Sequence, residues 1–108
     1  MTDLQLTRWG ARYGLTLAQV KQLQELTEKR ADQATHFCNG DPHPRVADKR
    51  DKDANSREWD KDCDETQEVL TALAKSFGFD DVDYGVGLVP VLEKGGDTCI
   101  MVPGSDED

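Results

Sequence analysis

The stretch THFCNGDPHPRVADKRDKD, from Thr35 to Asp53, places two histidines, a cysteine, two prolines and a dense block of charges in one short connection. His36, His43, Cys38 and the more distant Cys63 carry the atom types of a tetrahedral zinc site. Their spacing argues against one. There is no Cys-x-x-Cys or His-x-x-x-His pair, and on a helix His36 and Cys38 point roughly 200° apart. A Cys–His nucleophile pair can be drawn from the same residues, but nothing marks a thiol as activated. The sequence also lacks the G-x-S-x-G, Walker A and H-E-x-x-H patterns that carry acyl transfer, phosphate binding and zinc hydrolysis. The expectation is a protein with no catalytic residues, no metal and no cofactor.

The shape of the connection is more informative than its ligand atoms. From Asn39 to Asp53 it is longer than a helix–helix link needs, and over-long connections in small domains are commonly functional. Asp41 and His43 each precede a proline, which pushes both to extended backbone. A plainer alternative, a helix stop and turn built from ordinary turn residues, uses the same side chains. The binding expectation is a stiff loop that presents Asn39, Asp41, His43 and Arg45, with Arg57 and Trp59 beside it at the start of the next helix. Arg45, Lys49, Arg50, Lys52 and Arg57 could hold a phosphate or nucleotide, yet six acidic side chains between Asp41 and Asp60 cancel most of that field.

The elements that must position this loop are legible from periodicity. A short helix over residues 4–13 carries Leu4, Trp9 and Tyr13 and stops at Gly14. Thr16 and Gln19 form a capping box that opens a helix from Leu17 to Cys38, with Gly40 as its left-handed stop. Its apolar stripe is Val20, Leu23, Leu26, Ala31, Ala34 and Phe37. A second long helix starts near Asn55 and Glu58, with Asp51 and Asp53 at its positive end. It carries Trp59, Cys63, Thr66, Leu70, Leu73 and Phe77, filled out by Val69 and Ala74, and ends at Gly78. Two helices of matched length pair as an antiparallel hairpin, which brings Cys38 near Trp59 and Cys63, the cysteines serving as small core residues.

The remainder reads as strands. Lys94-Gly95-Gly96-Asp97 is a tight hairpin turn, with Lys94 and Asp97 facing each other across it. Leu88–Glu93 and Thr98–Val102 flank it, and Val82–Val86 adds a third strand. Pro90 cannot donate to a ladder, so its strand is expected to be an edge or to bulge there. The fold class is therefore α+β: a short N-terminal helix, a long antiparallel helical hairpin and a small antiparallel sheet, in a single domain over residues 1–104. The acidic tail at residues 105–108 is expected to be disordered.

The chain has 108 residues and a formal charge of −9. Residues 1–40 carry +1, residues 41–65 carry −3 and residues 66–108 carry −7, so the acidity lies in the C-terminal half. Such a field disfavours nucleic acid and favours a basic partner. A helix-turn-helix can be traced through RWGARYGLTLAQVKQLQEL, but the start of its would-be recognition helix, LTLAQV, has no basic residue. No apolar run approaches membrane-spanning length, and the N-terminus lacks the features of a signal peptide. Three cysteines do not make a disulfide framework. A reducing cytoplasm is the expected setting.

The segments CNGDPHPRVADKRDKDANSREW and GFDDVDYGVGLVPVL resemble small, uncharacterised proteins encoded by bacteriophages and prophages. The matching positions are Cys38 to Pro44, Arg57, Trp59, Gly78, Phe79, Val82, Tyr84, Gly87, Pro90 and Leu92. The resemblance spans about two thirds of the chain and leaves out roughly the first forty residues, those before Cys38. It implies an accessory phage protein made in the cytoplasm of a bacterial host, with no established activity attached. Proteins of that class often bind a host or defence component, and some sequester a small ligand. The leading expectation is thus a non-enzymatic protein that binds a host protein with a basic surface, as an inhibitor of a bacterial defence system would. A small-ligand or nucleotide-binding protein using the 39–57 loop is the first alternative, and a helix-turn-helix DNA-binding regulator the second. An exposed edge strand or the hairpin itself could support a homo-oligomer.

Overall fold

Each helix begins where a side chain can satisfy its first free N–H groups. Thr2 and Thr16 form capping boxes with Gln5 and Gln19, opening α1 (Asp3–Ala11) and α2 (Leu17–Asn39). The Asp51 carboxylate accepts from the Ala54 N–H and opens α3 (Lys52–Ser76). Gly40 ends α2 at φ +69°, a left-handed conformation that costs glycine little. This computed structural model describes residues 2–84 and 89–104. The expected capping box at Thr16 and the stop at Gly40 are present. α3 starts three residues earlier than the Asn55 start expected, because Asp51 rather than Asn55 is the cap.

Helices α2 and α3 pack against each other as the expected hairpin, and a sheet closes one side. The strands are β1 (Asp81–Tyr84), β2 (Pro90–Lys94) and β3 (Asp97–Met101), antiparallel in the order β1-β2-β3. Lys94 pairs with Asp97 across a turn in which Gly95 and Gly96 both take positive φ, as the hairpin reading requires. Val86 and Leu88, the outer residues of two expected strands, lie outside the described residues, as does the expected disordered tail at 105–108. β2 is the central strand, not an edge. Pro90 is tolerated there because it is the first residue of the strand, and the register shift falls between Leu92 and Lys94 rather than at the proline.

The core joins Leu6, Leu15, Val20, Leu23, Leu70, Ala74, Phe79, Val82, Leu92, Ile100 and Val102. Trp9, Tyr13 and Phe79 form a row of tilted rings, with successive centroids 5.0 and 5.4 Å apart. α1 approaches α2 closely at Gly10, where an added Cβ would lie 2.6 Å from Val20 Cγ2. Two side-chain amides tie the layers together: Gln24 donates to the Pro103 carbonyl and Gln67 to the Val82 carbonyl.

The stripes need correction at their ends. Phe37 and Val69 were expected inside and are 40% and 55% exposed. Cys38, expected in the core, is also exposed, while Cys63 is buried. The inner face of α2 instead takes in Gln24, Thr27 and Arg30, polar residues that a hydrophobic period passes over.

Candidate functional site

Twelve residues, Gly40 to Asp51, join α2 to α3. The chain turns back onto the first turns of α3, with the Val46 N–H donating to the His43 carbonyl at 3.0 Å, and polar side chains fasten it there. Asn55, 1% exposed, is the principal clamp. Its carbonyl oxygen accepts from the His43 N–H at 2.9 Å, and its amide donates to the Lys49 carbonyl at 3.0 Å. The Lys49 ammonium donates back to the His43 carbonyl. The loop is thereby closed on itself at both ends of its central segment.

His43 is 2% exposed. Its Nδ1 accepts the Arg45 N–H at 3.0 Å, so the ring proton sits on Nε2 and donates to Asp62 Oδ2 at 2.7 Å. Arg45 reaches the same carboxylate at Oδ1 and also donates from Nε to Glu58 Oε1 at 2.8 Å. Glu58 and Asp62 stand one turn apart on α3, so both face the loop. Burial alone would raise the Asp62 carboxyl, but the hydrogen bonds from His43 and Arg45 outweigh it and hold the group below its ordinary range. Arg45 likewise holds Glu58 down, and Asp62 followed by Glu58 raises the Arg45 guanidinium further.

Trp59 lies between the two histidines. Its ring stacks on His36 at 4.6 Å and 14°, and meets His43 edge-on at 4.4 Å and 64°. Its indole N–H donates to the Asp41 carbonyl at 3.0 Å. The Asp41 carboxylate pairs with His36 Nδ1 at 2.8 Å, and Asp32 sits 3.5 Å from Nε2 of the same ring.

The structure therefore brings Asp41, His43, Arg45 and Trp59 together, and their polar groups meet one another and α3. Asn39 and Arg57 are exposed and lie outside this network. Asp62, Asn55, Glu58 and His36 complete it; His36 was weighed from the sequence only as a metal ligand or base, and the other three were not singled out as site residues. The only signal for Asp62 is its position one turn after Glu58, on the side of α3 next to Trp59. Among the described residues, no group of three or more His, Cys, Asp or Glu side chains could hold a metal ion. Cys63 is buried, and burial raises its thiol. That environment disfavours the thiolate a nucleophile needs.

Beside the network a groove opens between α2 and α3. Its larger part, about 410 Å³, is lined by Leu26, Lys29 and Gln33 of α2, by Arg45, and by Asp62, Glu65, Thr66 and Val69 of α3. A second depression of about 250 Å³ continues it past Gln22, Glu25 and Leu73, sharing Leu26 and Val69 with the first. No helix among the described residues is long and apolar enough to cross a membrane. Comparison of the chain with protein-family models, curated proteins and solved structures finds no match.

Proposed function

We propose that the chain is a non-enzymatic binding protein that acts by engaging another protein through an acidic surface. In the setting the phage resemblance implies, the partner is a host protein, such as a component of a defence system. The observation that carries the reading is the charge on α3. Between Glu58 and Glu68 it bears Glu58, Asp60, Asp62, Asp64, Glu65 and Glu68 against the single cation Lys61. Arg45 neutralises only Glu58 and Asp62 of these. The rest of the row projects a field that steers a basic partner. The fastened loop supports the reading by giving that face a fixed edge, because preordered side chains lose less entropy on association. Affinity capture from a bacterial lysate tests it. Recovery of a stoichiometric protein at low salt, lost as salt rises, is the expected result. No recovered protein, beside tight binding of a nucleotide, overturns it.

A second reading has an observation of its own. The 410 Å³ cavity lies in the size range of small-molecule sites, and Lys29, Gln33 and Arg45 could receive an anionic group there. A thermal-shift series with nucleotides separates the two, since a bound ligand raises the melting temperature by mass action.

A further inference from the structure

The groove between α2 and α3 has an apolar floor that the fold itself leaves uncovered. The other face of the hairpin is occupied by α1 and the sheet, whereas Val69 on this face is 55% exposed and Leu26 and Leu73 are only partly covered. The floor is continuous, because both depressions share Leu26 and Val69. The groove as a whole, from Gln22 to Gln33 along α2, is about 17 Å long at 1.5 Å per residue, which matches roughly three turns of a helix laid along it, with the apolar floor of Leu26, Val69 and Leu73 toward the Gln22 end and polar side chains toward Gln33. Its walls carry Glu25 on one side and Glu65 on the other, and the exposed Glu68 lies outside the lining, about 60° round α3 from Glu65. Lys29 is the one lining cation outside the Arg45–Asp62–Glu58 cluster.

We infer that this groove receives a basic amphipathic helix of the partner protein. Apolar side chains spaced i, i+3 or i+4, and i+7 would rest on Leu26, Val69 and Leu73, and flanking Lys or Arg would meet Glu25, Glu65 and Glu68. This is the helix-in-groove mode of recognition, in which apolar anchors supply affinity and rim charges supply register and rate. A second copy of this chain is the poorer occupant, since its own hairpin would bring a like-charged α3 against Glu65 and Glu68. The inference rests on the reading of the chain as a protein-binding protein, and names the surface and the class of segment it takes.

The test is fluorescence anisotropy of the full chain with a labelled peptide of about 18 residues, long enough for the groove at helical rise, with leucines at helical spacing and lysines elsewhere. Two control peptides have the same composition in scrambled order, and glutamate in place of lysine. The expected result is binding of the first peptide alone. Val69→Gln and Glu65→Lys should each weaken it about tenfold, the effect of losing one useful contact. Asp53→Lys, the same charge change roughly 18 Å away along α3, should alter it less than about twofold, as expected of a remote rim charge. Equal binding of the scrambled peptide, an equal loss in Asp53→Lys, or no binding at all overturns the inference. So does a dimer of the free protein that Val69→Gln dissociates. A lysate partner captured equally by wild type, Val69→Gln and Glu65→Lys overturns the groove while leaving the protein-binding reading intact. Failure of the peptide together with an empty lysate capture removes both.

Discussion

His43 Nε2 and Asp62 Oδ2 lie 2.7 Å apart, nineteen residues apart in sequence, and the contact fixes the loop to α3. Its length and its two prolines mark the loop as a stiff surface expected to present His43 outward. The contact shows that its central histidine is spent within the fold. Replacing His43 by Ala removes the ring partners of Asp62 Oδ2 and of the Arg45 N–H, while the backbone bond to Asn55 remains, at a cost of about 2 kcal/mol, typical of a broken buried polar network. For a domain of this size that lowers Tm by roughly 10 °C. Arg45→Ala should cost less, since its ion pairs are largely in solvent. Thermal denaturation of the two variants side by side checks the order.

The same carboxylates set an acid limit. Asp62 and Glu58 are both held below their ordinary range in the folded state. A depressed folded-state pKa contributes stability that is complete above the unfolded value, near pH 4, and is lost as the pH falls through the folded value. Denaturant midpoints should therefore be flat from neutrality to about pH 5 and fall below about pH 4. Asp62→Asn should begin lower and fall less steeply. A variant as steep as wild type places the acid sensitivity elsewhere.

Thiol reactivity reports the packing of α3 independently. Cys38 and Cys99 are exposed and Cys63 is buried, its thiol raised by that burial. A thiol reagent should modify two cysteines in the native protein, and the third only when denaturant unfolds it.

Gly10 marks the contact between α1 and α2. A methyl group there meets Val20 Cγ2 at 2.6 Å and the Leu15 carbonyl at 3.1 Å. Gly10→Ala should destabilise by about 1–3 kcal/mol, the usual cost of overpacking, despite alanine's better helix propensity. An unchanged denaturation midpoint would show that α1 is not held tightly.

Much of this fold can be read from local chemistry. Thr16 with Gln19, Gly40, and Lys94-Gly-Gly-Asp97 each specify a cap, a stop or a turn through atoms a few residues apart, and each is found where it was expected. Long-range relations could not be read that way. Val69 and Phe37 fit helical stripes, but a stripe does not say where a neighbouring layer ends. Pro90 argues against a central strand, and only the pairing of β2 on both sides shows that a strand's first residue escapes the objection. Gln24, Thr27 and Arg30 fall at +4, +7 and +10 from Val20, on the buried face by helical period, but their polar character keeps them out of a hydrophobic stripe. Within the loop, the prolines reveal stiffness, but not that His43 turns inward to Asp62, because nothing in CNGDPHP points to one carboxylate among the many on α3.

The loop's central polar groups are thus taken up within the fold, and the groove beside it is left open. The most direct measurement of that division is the anisotropy titration of the leucine–lysine peptide against wild type and Val69→Gln, at a temperature where both are folded. Val69 is exposed, so its replacement should change stability by no more than about 0.5 kcal/mol. The account predicts a loss of peptide affinity of about tenfold with an unchanged melting temperature. Equal affinity for the two proteins would contradict it.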